Sequence, residues 1–372
     1  MAGLYIHIPF CKRKCIYCDF YSIASSPLLM EVYVASLVKE YDSRVSEMAG
    51  EEVNTIYLGG GTPSLMPLGL LTELVGHVFT GSVEEMTIEV NPDDVTNEFA
   101  DGIAAAGFNR VSVGIQSFDD DELKLLNRRH DAAGARESVA LLRKSGFENI
   151  SIDLIYGIPG QSLQSWRDNV KEAIALGVPH ISAYNLTYEE GTRLTAMRDK
   201  GRLQEVDDDL CVEMFGVLSS MLEEAGYEQY EISNFALPGM YSKHNSSYWD
   251  FTPYLGLGAS AHSFDGAARR YNPADLRKYM ELVDKYGKAY EEEKETQGQL
   301  HNEWVMTRLR TRQGLDMDDF ADRFGNECRT RASEVLRRYA DSGDIVVENG
   351  TARLTKKGIM VSDMIFRDLF IV

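Results

Sequence analysis

The sequence predicts an α/β fold: a partial, six-stranded (β/α)6 barrel followed by a small C-terminal winged-helix-like α+β domain. Three observations carry this. Six short apolar, β-branched segments recur over residues 4–185 with helical patterns between them, which is the alternation of a parallel sheet. The inward phase of the strands is polar, whereas a filled eight-stranded barrel packs bulky branched side chains there. Beyond residue 300, helical patterns give way to two short strands meeting at Asn349-Gly350, a hairpin turn signal.

The strands are "LYIHI" (4–8), "VNTIYL" (53–58), "MTIEV" (86–90), "VSVGI" (111–115), "ISIDLI" (150–155) and "HISAYN" (180–185). Between them lie helical stretches such as "EVYVASLVKEYDSRV", "FADGIAAAG", "ARESVALLRKSG" and "SWRDNVKEAIALG". Glycine with an apolar residue or proline close behind, as in "AAAGF" and "ALGVP", is an ordinary helix stop. Alternation along a strand sends successive side chains to opposite faces. Ile88 and Val90 therefore oppose Thr87 and Glu89. Val111, Val113 and Ile115 oppose Ser112, Gly114 and Gln116. Ile150, Ile152 and Leu154 oppose Ser151, Asp153 and Ile155. The apolar face packs under helices. The other phase forms a cavity whose polar groups cluster at the C-terminal ends of the strands, where ligands of α/β folds bind.

This reading assigns residues 1–265 to the barrel, 266–300 to an acidic connector and 301–372 to the C-terminal domain. The last holds twelve Lys/Arg and twelve Asp/Glu. A DNA-reading wing should be basic, so a packing or docking role is expected instead. The whole chain of 372 residues has a formal charge of −20, which repels nucleic-acid backbones and anionic lipid. No apolar run reaches membrane-spanning length, and the N-terminus reads as a buried strand without a signal peptide's basic start. The expectation is a cytoplasmic protein that meets membranes, if at all, peripherally through a partner.

Five cysteines are present, and three of them, Cys11, Cys15 and Cys18, fall within "FCKRKCIYCDF" directly after the first strand. An odd count with three crowded together argues for metal rather than disulfides. Zinc sites pair their cysteines or add close histidines, and no fourth ligand is evident here. A [4Fe–4S] cluster held by three thiolates leaves one iron open for a small molecule with an amine and a carboxylate. Lys12, Arg13 and Lys14 either offset cluster charge or form a solvated loop face. Cys211 and Cys328 sit in helical patterns and read as small apolar side chains. "LGGGTP" (58–63) is a glycine-rich turn with no Lys-Ser/Thr after it, so it is not a phosphate loop. Glu89 and Asp153 are carboxylates on the cavity phase, where an idle charge is rare. In "HNSSYW" (244–249), His244 is either a haem-iron ligand or a capping residue. Tyr248 and Trp249 are either porphyrin-stacking rings or core aromatics.

The cysteine spacing, with Tyr17 before the last thiol, resembles radical S-adenosylmethionine (SAM) proteins. "YIHIPFC", "GGGTPS", "IEVNP", "GIQSF", "LNR", "IDLIYGIPGQ" and "HNSSYW" together resemble one subfamily, the oxygen-independent coproporphyrinogen III oxidases and the HemW-type haem chaperones. The matches span most of residues 5–262. The resemblance implies that Cys11, Cys15 and Cys18 ligate a [4Fe–4S] cluster. It implies that Gly60, Gly61 and Thr62 lie against the methionyl group of SAM, and that Glu89 hydrogen-bonds SAM. Gln116, Arg128, Asp153, Tyr5, Tyr17, Thr187 and the backbone near His262 match further SAM positions, of which Tyr5 and Thr187 rest on the resemblance alone. His244, Asn245, Tyr248 and Trp249 would hold haem, with His262 a second candidate ligand.

Two departures separate the relatives. The oxidases carry a fourth cysteine where this chain has Phe20, and they carry a long extension before the first strand, where only four residues precede Tyr5. Both point to haem binding and delivery to haem-requiring membrane respiratory proteins, with an electron donor serving the cluster and porphyrinogen decarboxylation not expected. The alternatives are a radical SAM oxidase lacking the fourth cysteine and a zinc-binding winged-helix regulator.

Overall fold

The computed structural model describes residues 2–24, 26–48, 51–79 and 81–371. Strands β1 (Ala2–Ile8), β2 (Val53–Gly60), β3 (Glu85–Val90), β4 (Arg110–Gln116), β5 (Asn149–Tyr156) and β6 (His180–Asn185) are the six expected segments. They pair side by side in chain order, every pair parallel. Their apolar phase (Leu4, Ile6, Ile56, Leu58, Ile88, Val111, Val113, Ile150 and Ile152) is fully buried or nearly so. It shares one core with Tyr33, Leu74, Ile103, Val139 and Trp166 of the intervening helices. Those helices begin where side chains take up orphan amides: Thr96, Asp131 and Ser162 each accept from the amide three residues on. The helix Leu163–Leu176 stops at Gly177, which adopts φ 62°, a left-handed conformation that glycine tolerates without strain.

The sheet extends beyond the six. A late strand, β7 (Tyr254–Leu257), pairs parallel with the free side of β1. Three antiparallel strands continue from it, His262–Phe264, Ala268–Tyr271 and Glu291–Lys294. At the other edge Asn234–Ala236 runs antiparallel to β6. Glu228–Gln229 pairs antiparallel with that strand in turn, so twelve strands result among the described residues. β7 is hard to see in sequence because it is four residues long and contains Gly256. Residues 266–300, expected as a connector, hold the last two strands and the helix Leu276–Tyr286. The edge strand "EEEK" has no buried face, so no alternation announces it. Backbone pairing and the Arg270–Glu292 ion pair (2.8 Å) hold it instead.

A buried ion pair ties the first helix to β7. Arg44 meets Glu40 at 2.7 Å and donates to the Gly256 carbonyl (3.1 Å). Glu40 also accepts from Gly258 N, Asn272 Nδ2 and Tyr279 Oη, so its charge is fully hydrogen-bonded inside the core.

The C-terminal part has helices Gln297–Leu309, Met317–Phe324 and Asn326–Asp341. A hairpin of Ile345–Glu348 and Thr351–Leu354 follows, then short helices Lys356–Ile359 and Ser362–Leu369. Asn349 (φ 51°) and Gly350 (φ 80°) make its turn. A third strand, Leu315–Asp316, pairs with Thr351–Leu354. Trp304, Phe320, Leu336 and Ile365 form a second core that also takes in Phe251 and Phe264, residues before the expected boundary at 265. Among the described residues no helix is long and apolar enough to cross a membrane.

Candidate functional site

The parallel register puts the cysteine loop, the glycine turn, Glu89 and Gln116 at one end of the strands. The cysteine loop follows β1, Gly60 ends β2, Glu89 is the penultimate residue of β3, and Gln116 ends β4. Cys11, Cys15 and Cys18 are half-buried and unbridged. The loop that carries them is stitched to its neighbours. Cys11 Sγ lies 3.5 Å from Thr62 Oγ1, Arg128 Nη1 donates to Cys15 Sγ (3.3 Å), and Asn127 Nδ2 donates to the Lys14 carbonyl (2.9 Å). Arg128 Nη2 also donates to Asn91 Oδ1 and to the Gly114 carbonyl, while its buried Nε has no partner among the described residues. Burial pushes the Cys18 thiol up to about 11. Among the described residues no three His, Cys, Asp or Glu side chains already converge as metal donors. In number and softness the three thiols nevertheless suit an iron–sulfur cluster.

The glycine turn is built for close approach. A Cβ on Gly61 would lie 2.8 Å from the carbonyl oxygens of Ile8 and Phe10. Gly60 has φ 106°, and a Cβ there would run into the His7 ring. Only glycine fits either place. Gln116, buried, takes φ 73° beside a register shift between Gly114 and Gln116, a strained backbone of the kind that collects at functional sites.

The two carboxylates of the inward phase have partners within the protein. Glu89 accepts from Tyr57 Oη (2.7 Å) and Gly60 N (3.0 Å), and Asp153 accepts from Ser112 Oγ (3.4 Å). Burial nonetheless pushes Glu89 up to about 7 and Asp153 up to about 6. Two such groups stabilise a cation placed between them. Tyr5 joins this region through His7: its Oη lies 3.0 Å from His7 Nδ1. Tyr17 is half-buried beside Cys15. Thr187 and His262 are exposed, Thr187 two residues past β6 and His262 opening the strand His262–Phe264.

The polar phase does not stop at the C-terminal ends, contrary to the expectation. Gly3, Thr55 and Glu85 are in register near the starts of β1, β2 and β3. There the helix Lys243–Trp249, which carries "HNSSYW", closes the opposite end of the strands. Glu85 accepts from the amides of Lys243 (3.0 Å) and His244 (2.9 Å) and stands 3.9 Å from the buried Arg110. His244 is fully buried. Its Nδ1 meets Thr55 Oγ1 and its Nε2 meets Tyr248 Oη, each at 2.8 Å. Burial pushes its pKa down to about 3, so the ring is neutral at pH 7. His244 and Tyr248 thus face the interior, Trp249 and Ser246 face outward to a cleft, and Asn245 is half-buried between them.

Sequence reasoning missed Tyr57, whose hydroxyl serves Glu89 while its ring stacks on His244 (5.1 Å, 26°). It also missed Glu85, Arg110 and Asn91. Extending the strand alternation to the first residues of β3 and β4 would have placed Glu85 and Arg110 on the cavity phase.

Comparison with known proteins accounts for this arrangement. Residues 5–173 match the Radical SAM superfamily and residues 296–361 the HemN C-terminal domain. The first match implies a [4Fe–4S] cluster and SAM as cofactors. The chain is similar in fold to coproporphyrinogen III oxidase (HemN) from Escherichia coli, with a TM-score of 0.85 at 24% identity over 99% of this chain and 90% of that one. Heme chaperone HemW of Bacillus subtilis is 35% identical, with 98% of each chain covered. That of Lactococcus lactis is 32% identical over 97% of this chain and 95% of its own, and that of Escherichia coli is 38% identical over 70% and 69%. The chain belongs to the HemW family of heme chaperones, built on the radical SAM fold.

Proposed function

We propose that the protein binds haem and delivers it to haem-requiring apoproteins, membrane respiratory enzymes among them, from the cytoplasmic side. The observation that carries this reading is the division of the barrel into two ends. The thiols, glycine turn and carboxylates occupy one end, and the "HNSSYW" helix closes the other. A cargo at that helix need not enter the SAM site. Phe20, where the oxidases resembling this chain carry a cysteine, is 62% exposed and contributes no ligand. At the first end Cys11, Cys15 and Cys18 hold the cluster, which takes electrons from a donor protein. When bound there, the cluster and SAM together supply reductive radical chemistry. Gly60, Gly61 and Thr62 admit the methionyl group, and Glu89, Gln116, Arg128 and Asp153 orient SAM. For His244 to ligate iron its ring must first leave Thr55 and Tyr248.

The test is to reconstitute the cluster anaerobically and offer haem or coproporphyrinogen III. Stoichiometric haem binding without vinyl-group formation is the expected result. Turnover of coproporphyrinogen would replace the chaperone with an oxidase.

A proton linkage follows from the same site. Glu89 and Asp153 stabilise the fold while protonated. That contribution is complete below their ordinary values of 4.5 and 3.8 and is lost as pH rises through about 6 and 7. A cationic ligand held by these carboxylates would favour their ionised forms. Affinity for SAM is therefore expected to rise with pH across that window, with proton release on binding. Calorimetry in buffers of different ionisation enthalpy measures the release. Glu89→Gln should flatten the profile, and an unchanged profile in that variant counts against the site.

A further inference from the structure

The face of the "HNSSYW" helix turned away from His244 borders a cleft of about 620 Å³, within the range of small-molecule sites, which favour junctions between domains. Tyr230, Tyr241 and Trp249 form its aromatic wall, and Arg312, Asn349 and Arg353 come from the C-terminal part. Helix geometry explains the split. His244 and Tyr248 are four residues apart on one face, while Ser246, Trp249 and Asp250 share the other.

We propose that this cleft seats a flat, carboxylate-bearing tetrapyrrole, its ring plane against Tyr241 and Trp249 and a carboxylate on Arg353. The assignment rests on the reading of the protein as a haem carrier. The wall is fixed before any ligand arrives. The Tyr230 and Tyr241 rings lie 4.8 Å apart, and Tyr241 Oη donates to Glu228. The Arg310 guanidinium covers Trp249 at 4.3 Å while pairing with Glu231 at 3.0 Å. Rigid aromatic surface of this kind binds planar ligands at small entropic cost.

Charge selects the ligand. The chain is strongly acidic, yet around the cleft Arg308, Arg310, Arg312 and Arg353 balance Glu228, Glu231, Asp250 and Glu348. Three of the arginines are committed, to Asp250, Glu231 and Glu228. Arg353 is the exception. Its Nε donates to the Arg312 carbonyl (3.0 Å), which aims the side chain. Its two terminal nitrogens have no partner among the described residues, so the fork is open to a carboxylate. Glu348, exposed at the rim, is the remaining anion.

The experiment titrates the full chain with haem, following the Soret band and the quenching of tryptophan fluorescence. Arg353→Glu is expected to weaken binding by about tenfold or more, Arg353→Lys by less, and Trp249→Phe to shift the Soret band. Circular dichroism and iron–sulfur content of the variants should match the parent. Parent-like affinity in Arg353→Glu together with a parent-like Soret band in Trp249→Phe overturns the cleft assignment and leaves the carrier reading standing. A parent chain that binds no haem overturns both.

Discussion

Replacing Cys15 with serine is expected to abolish the iron–sulfur chromophore and leave the fold intact. The three cysteines lie in one half-buried loop after β1, outside both large cores, so the substitution removes a ligand without opening a cavity. Three thiolates are the minimum that holds a cubane with one iron free, and a hydroxyl is a poor substitute for a soft donor. Arg128 Nη1 also loses its sulfur acceptor, but that side chain keeps Asn91 and the Gly114 carbonyl. Cys11→Ser and Cys18→Ser should behave alike. Cys211→Ser and Cys328→Ser, on the helices Asp208–Glu224 and Asn326–Asp341, should retain full iron. Iron and sulfide analysis after anaerobic reconstitution decides. Parent-level iron in all three loop variants would remove the cluster from this site.

Glu85→Ala is expected to cause the largest loss of stability among substitutions at the closed end of the strands. Glu85 is 2% exposed and Arg110 1%. Removing the carboxylate leaves a guanidinium buried without its counter-charge, which costs about 3–5 kcal/mol. It also strips the amides of Lys243 and His244 of their acceptor, releasing the start of the "HNSSYW" helix. The paired substitution Glu85→Gln with Arg110→Met should recover much of the loss, because no lone charge then remains inside. Chemical denaturation of the three proteins measures this. A single variant as stable as the parent would show that Arg110 finds other compensation. A further consequence concerns Tyr57: with the helix loosened, its ring loses the His244 face, so the environment of Glu89 should change as well. A shift in the pH profile of SAM binding would report it.

The candidate SAM end was largely legible in the sequence because its signals are local. A cysteine triad lies within nine residues, a glycine turn ends a strand, and Glu89 and Asp153 fall on a countable alternation. The structure adds partners that no spacing announces. Tyr57 reaches Glu89 from the neighbouring strand, and Asn91 reaches Arg128 across a loop. The candidate motif near residue 244 was legible as a string but not as a place. "HNSSYW" does not say which of its side chains face inward. Here Thr55, Glu85 and Tyr248 are what turn His244 into the barrel and leave Trp249 outside.

The sequence by itself determined the class of fold, the six strands in parallel order and the residue types of the cluster loop. Hydrophobic period and turn chemistry act over a few residues and survive without tertiary context. Only the tertiary structure decided that the sheet continues through β7 and an acidic edge strand, that polar groups line the strands from end to end, and that the two ends hold different chemistry. Those features depend on pairings between residues as far as 251 apart in the chain, such as Gly3 with Tyr254. Backbone hydrogen bonds and buried charge pairs enforce them, and neither leaves a periodic trace in the sequence.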